Sequence, residues 1–223
     1  MFERLELLIG EKVKLLNKKT VLLLGLGGVG GHAFEALVRS NIGTIIIVDN
    51  DTFDVTNLNR QLLSTRNNIS KYKVDIAEER NDMITENTKI IKINKFIDET
   101  NIEEIFNYHI DFVIDAIDTI KTKELIIKKC LKNKIKFISV MGTGGKMDNT
   151  KLKVIELSKT SYDPIAKIIR SDFRKENIKE KIMVVSSDES PTKTIPIGSN
   201  AFVPATAGLL AAGYAINTLL KEE

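Results

Sequence analysis

VLLLGLGGVGGHAFEALVRSNIGTIIIVD, residues 21–49, decides the fold. Val21–Leu24 is a short apolar run that meets Gly25 directly, the mark of a buried strand. Val29, Ala33, Ala36 and Leu37 come next at helical spacing, until Asn41–Gly43 stops the helix. Thr44–Val48 is apolar and β-branched and ends on Asp49. Such a strand–helix–strand unit has parallel strands and a right-handed crossover. The rhythm continues outward with a helix over Ser70–Met83, a strand over Lys89–Lys92 and a short helix over Thr100–Tyr108. A strand over Asp111–Asp115, a helix over Ile120–Asn133 and a strand over Lys136–Met141 complete it. The alternation predicts an α/β fold: a Rossmann-like, doubly wound, mostly parallel sheet with helices on both faces. Gly142, Gly144 and Gly145 then break the pattern. Leu152–Leu157 and Lys181–Ser187 read as further strands, and Asp163–Pro164 as an N-cap with a first-turn proline. A loop over Asp188–Asn200 and an apolar helix over Pro204–Leu220 close a C-terminal strand and helix extension.

The chain's 223 residues suit one domain: an N-terminal helical arm (1–20), a nucleotide-binding core (21–141) and an extension on the substrate and dimer side (142–223). Apolar residues at 43% and charged residues at 28% exclude wholesale disorder. A lone cysteine, Cys130, excludes an intramolecular disulfide and a cysteine-based zinc site, and two histidines are too few for a His-rich metal centre. Glu3 and Arg4 with no long apolar run behind them do not read as a signal peptide. The nearest approach to a membrane span, Phe202–Leu220, is interrupted by Pro204 and Asn217. The expectation is a cytoplasmic enzyme, with peripheral membrane contact through that helix left open.

Gly25, Gly27 (next to Gly28) and Gly30 satisfy G-x-G-x-x-G at a strand-to-helix junction, where backbone N–H groups and a helix N-terminus can approach phosphate. Asp49, nineteen residues after Gly30, sits where a carboxylate accepts ribose hydroxyls. A nicotinamide-dependent oxidoreductase shares these two features. The residues beyond Asp49 favour cleavage of a triphosphate: Asp51, Asn57, Asn59, Arg60 and Gln61 form a polar cluster, and Lys73 comes twelve residues later. Breaking the α–β bond of ATP requires fixed cations where charge develops, which Arg60 and Lys73 could supply. Asp115-Ala-Ile-Asp118 places Asp115 at a strand tip on the carboxyl edge of the sheet, where open α/β folds bind ligands, as a candidate cofactor-binding residue. Asp118 falls in the adjoining loop, as a ligand for Mg²⁺ or a cap for the next helix.

Taken jointly, these residues resemble the ubiquitin-activating (E1-like) adenylation superfamily over nearly the whole chain. The opening Phe2–Gly10, Thr143–Asp148, Ser158–Pro164 and Gly198–Gly208 resemble most closely its subgroup that dehydrates threonylcarbamoyladenosine in tRNA. The resemblance implies that Asp49 holds the ATP ribose, Arg60 and Lys73 the triphosphate, and Asp118 the Mg²⁺. Asn57 and Gln61 would position these groups. It also implies a homodimer in which Arg4 reaches the triphosphate of the other subunit. A monovalent cation and a cysteine-desulfurase or sulfur-acceptor partner are compatible with it; relatives that hold zinc do so through two C-x-x-C pairs, which the single cysteine excludes here. The implied reaction is adenylation of the threonyl carboxylate, with release of pyrophosphate, then ring closure by the substrate's carbamoyl nitrogen with release of AMP. The alternative is an adenylating activator of a ubiquitin-like sulfur-carrier protein, and less so the oxidoreductase. Met183–Ser187 offers serines where thioester-forming relatives carry cysteine. Cys130 shares an apolar helical face with Ile126 and Ile127, as a buried structural thiol does.

Lysine-rich Lys121–Lys136 (seven lysines, one acid) and Lys167–Lys181 (six basic residues, three acidic) are candidate tRNA phosphate contacts or solvated helix faces. Phe173, Tyr162 and Tyr72 are the candidate stacking residues. Gly208 and Gly213 point to the last helix as core and dimer contact.

Overall fold

The computed structural model describes residues 1–221. Two short helices, α1 (Glu3–Ile9) and α2 (Lys12–Leu16), lead into β1 (Thr20–Leu24), α3 (Gly30–Val38) and β2 (Thr44–Val48). Then come α4 (Lys73–Asp82), β3 (Lys89–Ile93), α5 (Ile102–Ile105), β4 (Phe112–Asp115), α6 (Ile120–Asn133) and β5 (Lys136–Val140). The extension adds β6 (Leu152–Glu156), α7 (Pro164–Lys175), β7 (Met183–Ser187) and α8 (Phe202–Leu219). The strands form one sheet in the order β3-β2-β1-β4-β5-β7-β6, parallel throughout except for β6, which runs antiparallel to β7.

Alternation along β1 shows how the sheet is covered. Val21 and Leu23 face a core built with Phe34 and Leu37 of α3, Val74 and Ala77 of α4, and Ala207, Ala211 and Ala215 of α8. Leu22 and Leu24 face the other, with Ile102 and Ile105 of α5 and Ile126 and Cys130 of α6. Ile127 of α6 joins Ile169 and Phe173 of α7 over β7. Buried on both faces, the strands need no polar alternation. The strand order reverses at β1, between β2 and β4, and there the sheet opens a crevice at its carboxyl edge.

Several boundaries move for local reasons. The helix expected over Ser70–Met83 starts only at Lys73, because Ser70 has φ +68° and Tyr72 pairs with Thr52 in an isolated bridge. The helix expected over Thr100–Tyr108 shrinks to a single turn. α8 starts at Phe202, two residues ahead of the expected Pro204; a first-turn proline has no N–H to lose, and Asn200 Oδ1 accepts the N–H groups of Phe202 and Val203. α8 has the length and composition of a membrane span. Its Val203, Ala207, Ala211, Ala212, Ala215 and Leu219 are nevertheless buried in the core, so it folds as a core helix.

Candidate nucleotide-binding cleft

The crevice is a cleft of about 600 Å³, floored by the glycine turn between β1 and α3. Gly25 has φ +88°, and a Cβ on Gly30 would lie 1.8 Å from the carbonyl oxygen of Gly25. No side-chain movement relieves a backbone clash. Gly30→Ala is therefore expected to lower stability by about 1–3 kcal/mol and to abolish ATP binding, as read by thermal melts and titration calorimetry.

Asp49 ties the tip of β2 to this turn. Its Oδ2 accepts the Leu26 N–H at 2.6 Å and its Oδ1 accepts the Asp51 N–H at 2.8 Å. Each oxygen retains a lone pair for a further donor, as ribose binding requires. Burial raises the Asp49 carboxyl above its ordinary value, although the nearby Lys73 charge and those two N–H groups pull the other way. Lys73, the first residue of α4, is itself buried, with Nζ 2.9 Å from Asp51 Oδ2 and 4.0 Å from Asp49 Oδ1.

Residues 54–61 form the opposite wall. Asn57 closes a capping box: Asp54 accepts the Thr56 N–H, and Asn57 Oδ1 accepts the Asp54 N–H. Arg60 donates to Thr56 O at 2.7 Å and to Asn59 Oδ1 at 3.0 Å, both neutral, so its charge is left for an anion. The side chain runs beside the turn; its Cγ is 3.5 Å from where a Cβ on Gly28 would sit. Gln61 is buried against the cleft, and its Oε1 has no hydrogen-bond partner. A buried amide oxygen without a donor is the mark of a site awaiting one.

Asp118 is exposed on the rim of the cleft, where among the described residues the Thr119 hydroxyl, 3.5 Å away, is its one partner. Thr119, not Asp118, is the N-cap of α6, and it makes no side-chain cap. The capping explanation therefore fails. A lone carboxylate beside a phosphate site fits Mg²⁺, which takes one or two carboxylates together with phosphate oxygens. Among the described residues no group of three or more His, Cys, Asp or Glu side chains is arranged to hold a metal by itself.

Asp115 does not enter the cleft. Its side chain is fully buried beneath it, paired with Lys123. Arg4 is exposed on α1, a helix with no buried residue, and is not part of the cleft of its own chain. Five basic side chains of the lysine-rich stretches form ion pairs: Lys123 with Asp115, Lys129 with Glu103, Lys128 with Glu176, Lys175 with Asp172 and Lys181 with Glu156, of which Lys123 and Lys129 are buried. Phe173 is buried and cannot stack on a base, whereas Tyr72 and Tyr162 are exposed. Cys130 is buried too; burial, reinforced by the Asp115 charge, pushes its thiol up, so it is no nucleophile.

Phe96, Ile97 and Ile117 make one end of the cleft apolar; Thr143, Ser199 and Pro204 close the other. Thr143, Ser199 and Pro204 fall in the stretches 143–148 and 198–208 that carried the resemblance, whereas Phe96 and Ile97 have position alone as their sequence signal, just after the tip of β3.

Comparison with known proteins extends this geometry. Residues 3–223 match the ThiF family. The tRNA threonylcarbamoyladenosine dehydratase of Bacillus subtilis is 42% identical, covering 99% of this chain and 95% of that one. The Haemophilus influenzae enzyme of the same name is 34% identical over 93% and 88%. The Escherichia coli tRNA N6-threonylcarbamoyladenosine dehydratase, solved with ATP, superposes with a TM-score of 0.93 at 32% identity, covering 98% of this chain and 93% of that one.

Proposed function

The chain belongs to the ThiF family, and on that premise we propose that it dehydrates threonylcarbamoyladenosine in tRNA, consuming one ATP. The threonyl carboxylate attacks the α-phosphorus and pyrophosphate leaves. A carbamoyl nitrogen of the same substrate then attacks the mixed anhydride; a five-membered ring closes, and AMP and a proton depart. Ring closure is intramolecular, so effective molarity does what an enzyme nucleophile would otherwise do. That accords with a chain whose single cysteine is buried. The sulfur-carrier and oxidoreductase readings give way, because relatives matched along nearly their whole length act on tRNA.

One observation carries the assignment of roles: Arg60, partnered only by neutral groups, lies alongside the glycine turn. A coenzyme whose pyrophosphate survives has no need of such a cation; a departing pyrophosphate does. In our reading the glycine turn cradles the phosphates, Asp49 takes the ribose, and the adenine lies against Phe96, Ile97 and Ile117. Gln61 Oε1 receives a donor from the bound substrates. Lys73, held by Asp51, and Arg60 face the triphosphate. Asp118 would hold Mg²⁺, which when bound neutralises phosphate charge. Residues 1–20, 21–141 and 142–223 then serve as arm, nucleotide core and substrate side of one cytoplasmic adenylation unit. Incubation of the protein with modified tRNA, ATP and Mg²⁺, with nucleoside mass spectrometry as readout, tests the reaction. A nucleoside lighter by one water is expected; unchanged tRNA with ATP intact would refute it.

Arg4 acts across a homodimer. Ile9 of α1 packs against the core, but Leu7 and Leu8 are exposed and lack cover within the chain, as a dimer contact would. Arg4→Ala and Arg60→Ala homodimers should each be inactive, while mixing them should restore about one working site per heterodimer. AMP release from the mixture, compared with each variant alone, checks this.

A further inference from the structure

Two charged side chains lie beneath the cleft without facing it. Lys123 of α6 and Asp115 at the tip of β4 are both fully buried, with Nζ 2.8 Å from Oδ2. Ser139, the β5 residue in register with Asp115, completes the group. Its hydroxyl donates to the same Oδ2 at 2.6 Å and accepts from Lys123 Nζ at 3.2 Å. The other oxygen, Oδ1, accepts the Ile117 N–H at 3.1 Å.

A buried ion pair is a poor source of net stability compared with apolar packing of the same volume. What this one supplies is direction. Both donors from below converge on Oδ2, so Oδ1 is turned up toward a single peptide. That peptide belongs to Ala116–Ile117–Asp118, which lines the cleft. The Ala116 carbonyl oxygen also lies 2.8 Å from where a Cβ on Gly25 would be, so the same segment packs beneath the glycine turn. A rotation of the Ile117 peptide would displace the Asp118 carboxylate and disturb the turn together.

We propose that Lys123 and Ser139 are positioning residues for the nucleotide and metal end of the cleft: they aim Asp115 Oδ1 at the Ile117 peptide and thereby set Asp118. The inference rests on the ATP-dependent function proposed for the cleft. It separates from a merely structural role through two double variants. Asp115→Asn/Lys123→Met removes both charges and keeps an acceptor for the Ile117 N–H. Asp115→Leu/Lys123→Met removes the charges and the acceptor. Both relieve the buried charge, so their melting temperatures should be similar. The dissociation constant for Mg²⁺·ATP, measured by titration calorimetry, should stay within about threefold of the parent in the asparagine variant. In the leucine variant it should rise by about tenfold or more, the scale of lost outer-shell support. Equal dissociation constants in the two double variants overturn the proposal. Should the leucine variant not fold, Ser139→Ala decides: a weakening of about tenfold, the low end for an outer-shell partner, supports the proposal and any smaller change overturns it. A parent protein that binds no ATP would instead overturn the adenylation reading itself.

Discussion

Arg60→Ala is expected to slow AMP formation by about 10³-fold, the lower range for an arginine that meets transition-state charge on transferring phosphoryl groups. The fold should hardly notice. The guanidinium is partly exposed and its partners are Thr56 O and Asn59 Oδ1, so the cost in stability should stay near 0.5 kcal/mol. Arg60→Lys should recover only part of the rate, since a point charge replaces a planar fork. Pyrophosphate release measured beside thermal melts checks both halves. A folded Arg60→Ala protein that turns over like the parent would remove Arg60 from the site. Asp118→Asn should give the same combination of intact melt and lost turnover, because among the described residues Thr119 is its one partner.

Lys73→Met should behave in the opposite way and damage the fold as well as the reaction. Lys73 is buried between Asp49 and Asp51, and removing it leaves the buried Asp49 carboxylate facing only backbone N–H groups. Deleting one partner of a fully buried pair costs about 3–5 kcal/mol; here the loss should be smaller, because Asp51 is largely exposed and the buried Asp49 lies 4.0 Å from Lys73 Nζ. The loss should depend on pH in a direction set by Asp49. Burial already raises this carboxyl in the folded protein, so ionised Asp49 opposes folding. The penalty is absent below the unfolded carboxylate value of about 3.9, grows as pH rises through the elevated folded value, and is full at neutrality. Without Lys73 the elevation is larger. The stability gap between variant and parent should therefore be widest at neutral pH and narrow as pH falls into the carboxylate range. Denaturant melts across that range measure it; a gap independent of pH would mean that Lys73 does not neutralise Asp49.

The sequence carried the sheet, the glycine turn and Asp49 because each is a local pattern: short apolar runs, glycines at fixed offsets, an acid at a strand tip. It also brought Arg60, Gln61, Lys73 and Asp118 to one cleft, as the structure does. It misplaced Asp115, for a physical reason. β4 is buried on both faces, so no alternation tells which side its last residue faces. The missing signal was on α6, where Lys123 falls on the same stripe as Ile126, Ile127 and Cys130, all of them buried. A lysine on an apolar face needs a buried acid, and Asp115 is the one it finds. Counting lysines along Lys121–Lys136 hid this, since a charge count is blind to which face of the helix each occupies. Phe173 was misjudged likewise: its place on α7 packs it inward with Ile169.

Pro204 touches the glycine turn near Gly28, and Gly208 lets α8 approach so closely that a Cβ there would lie 2.2 Å from the carbonyl oxygen of Val29. The glycine turn is thus braced by a helix made after the sheet's last strand. During synthesis, which releases the chain from its N-terminus onward, the sheet's first strands and the turn emerge long before their brace. A nascent chain halted ahead of residue 202 would hold the glycine turn, Asp49, Arg60, Lys73 and Asp118 yet lack the helix that braces the turn. Nucleotide capture would then begin only once translation has passed this helix.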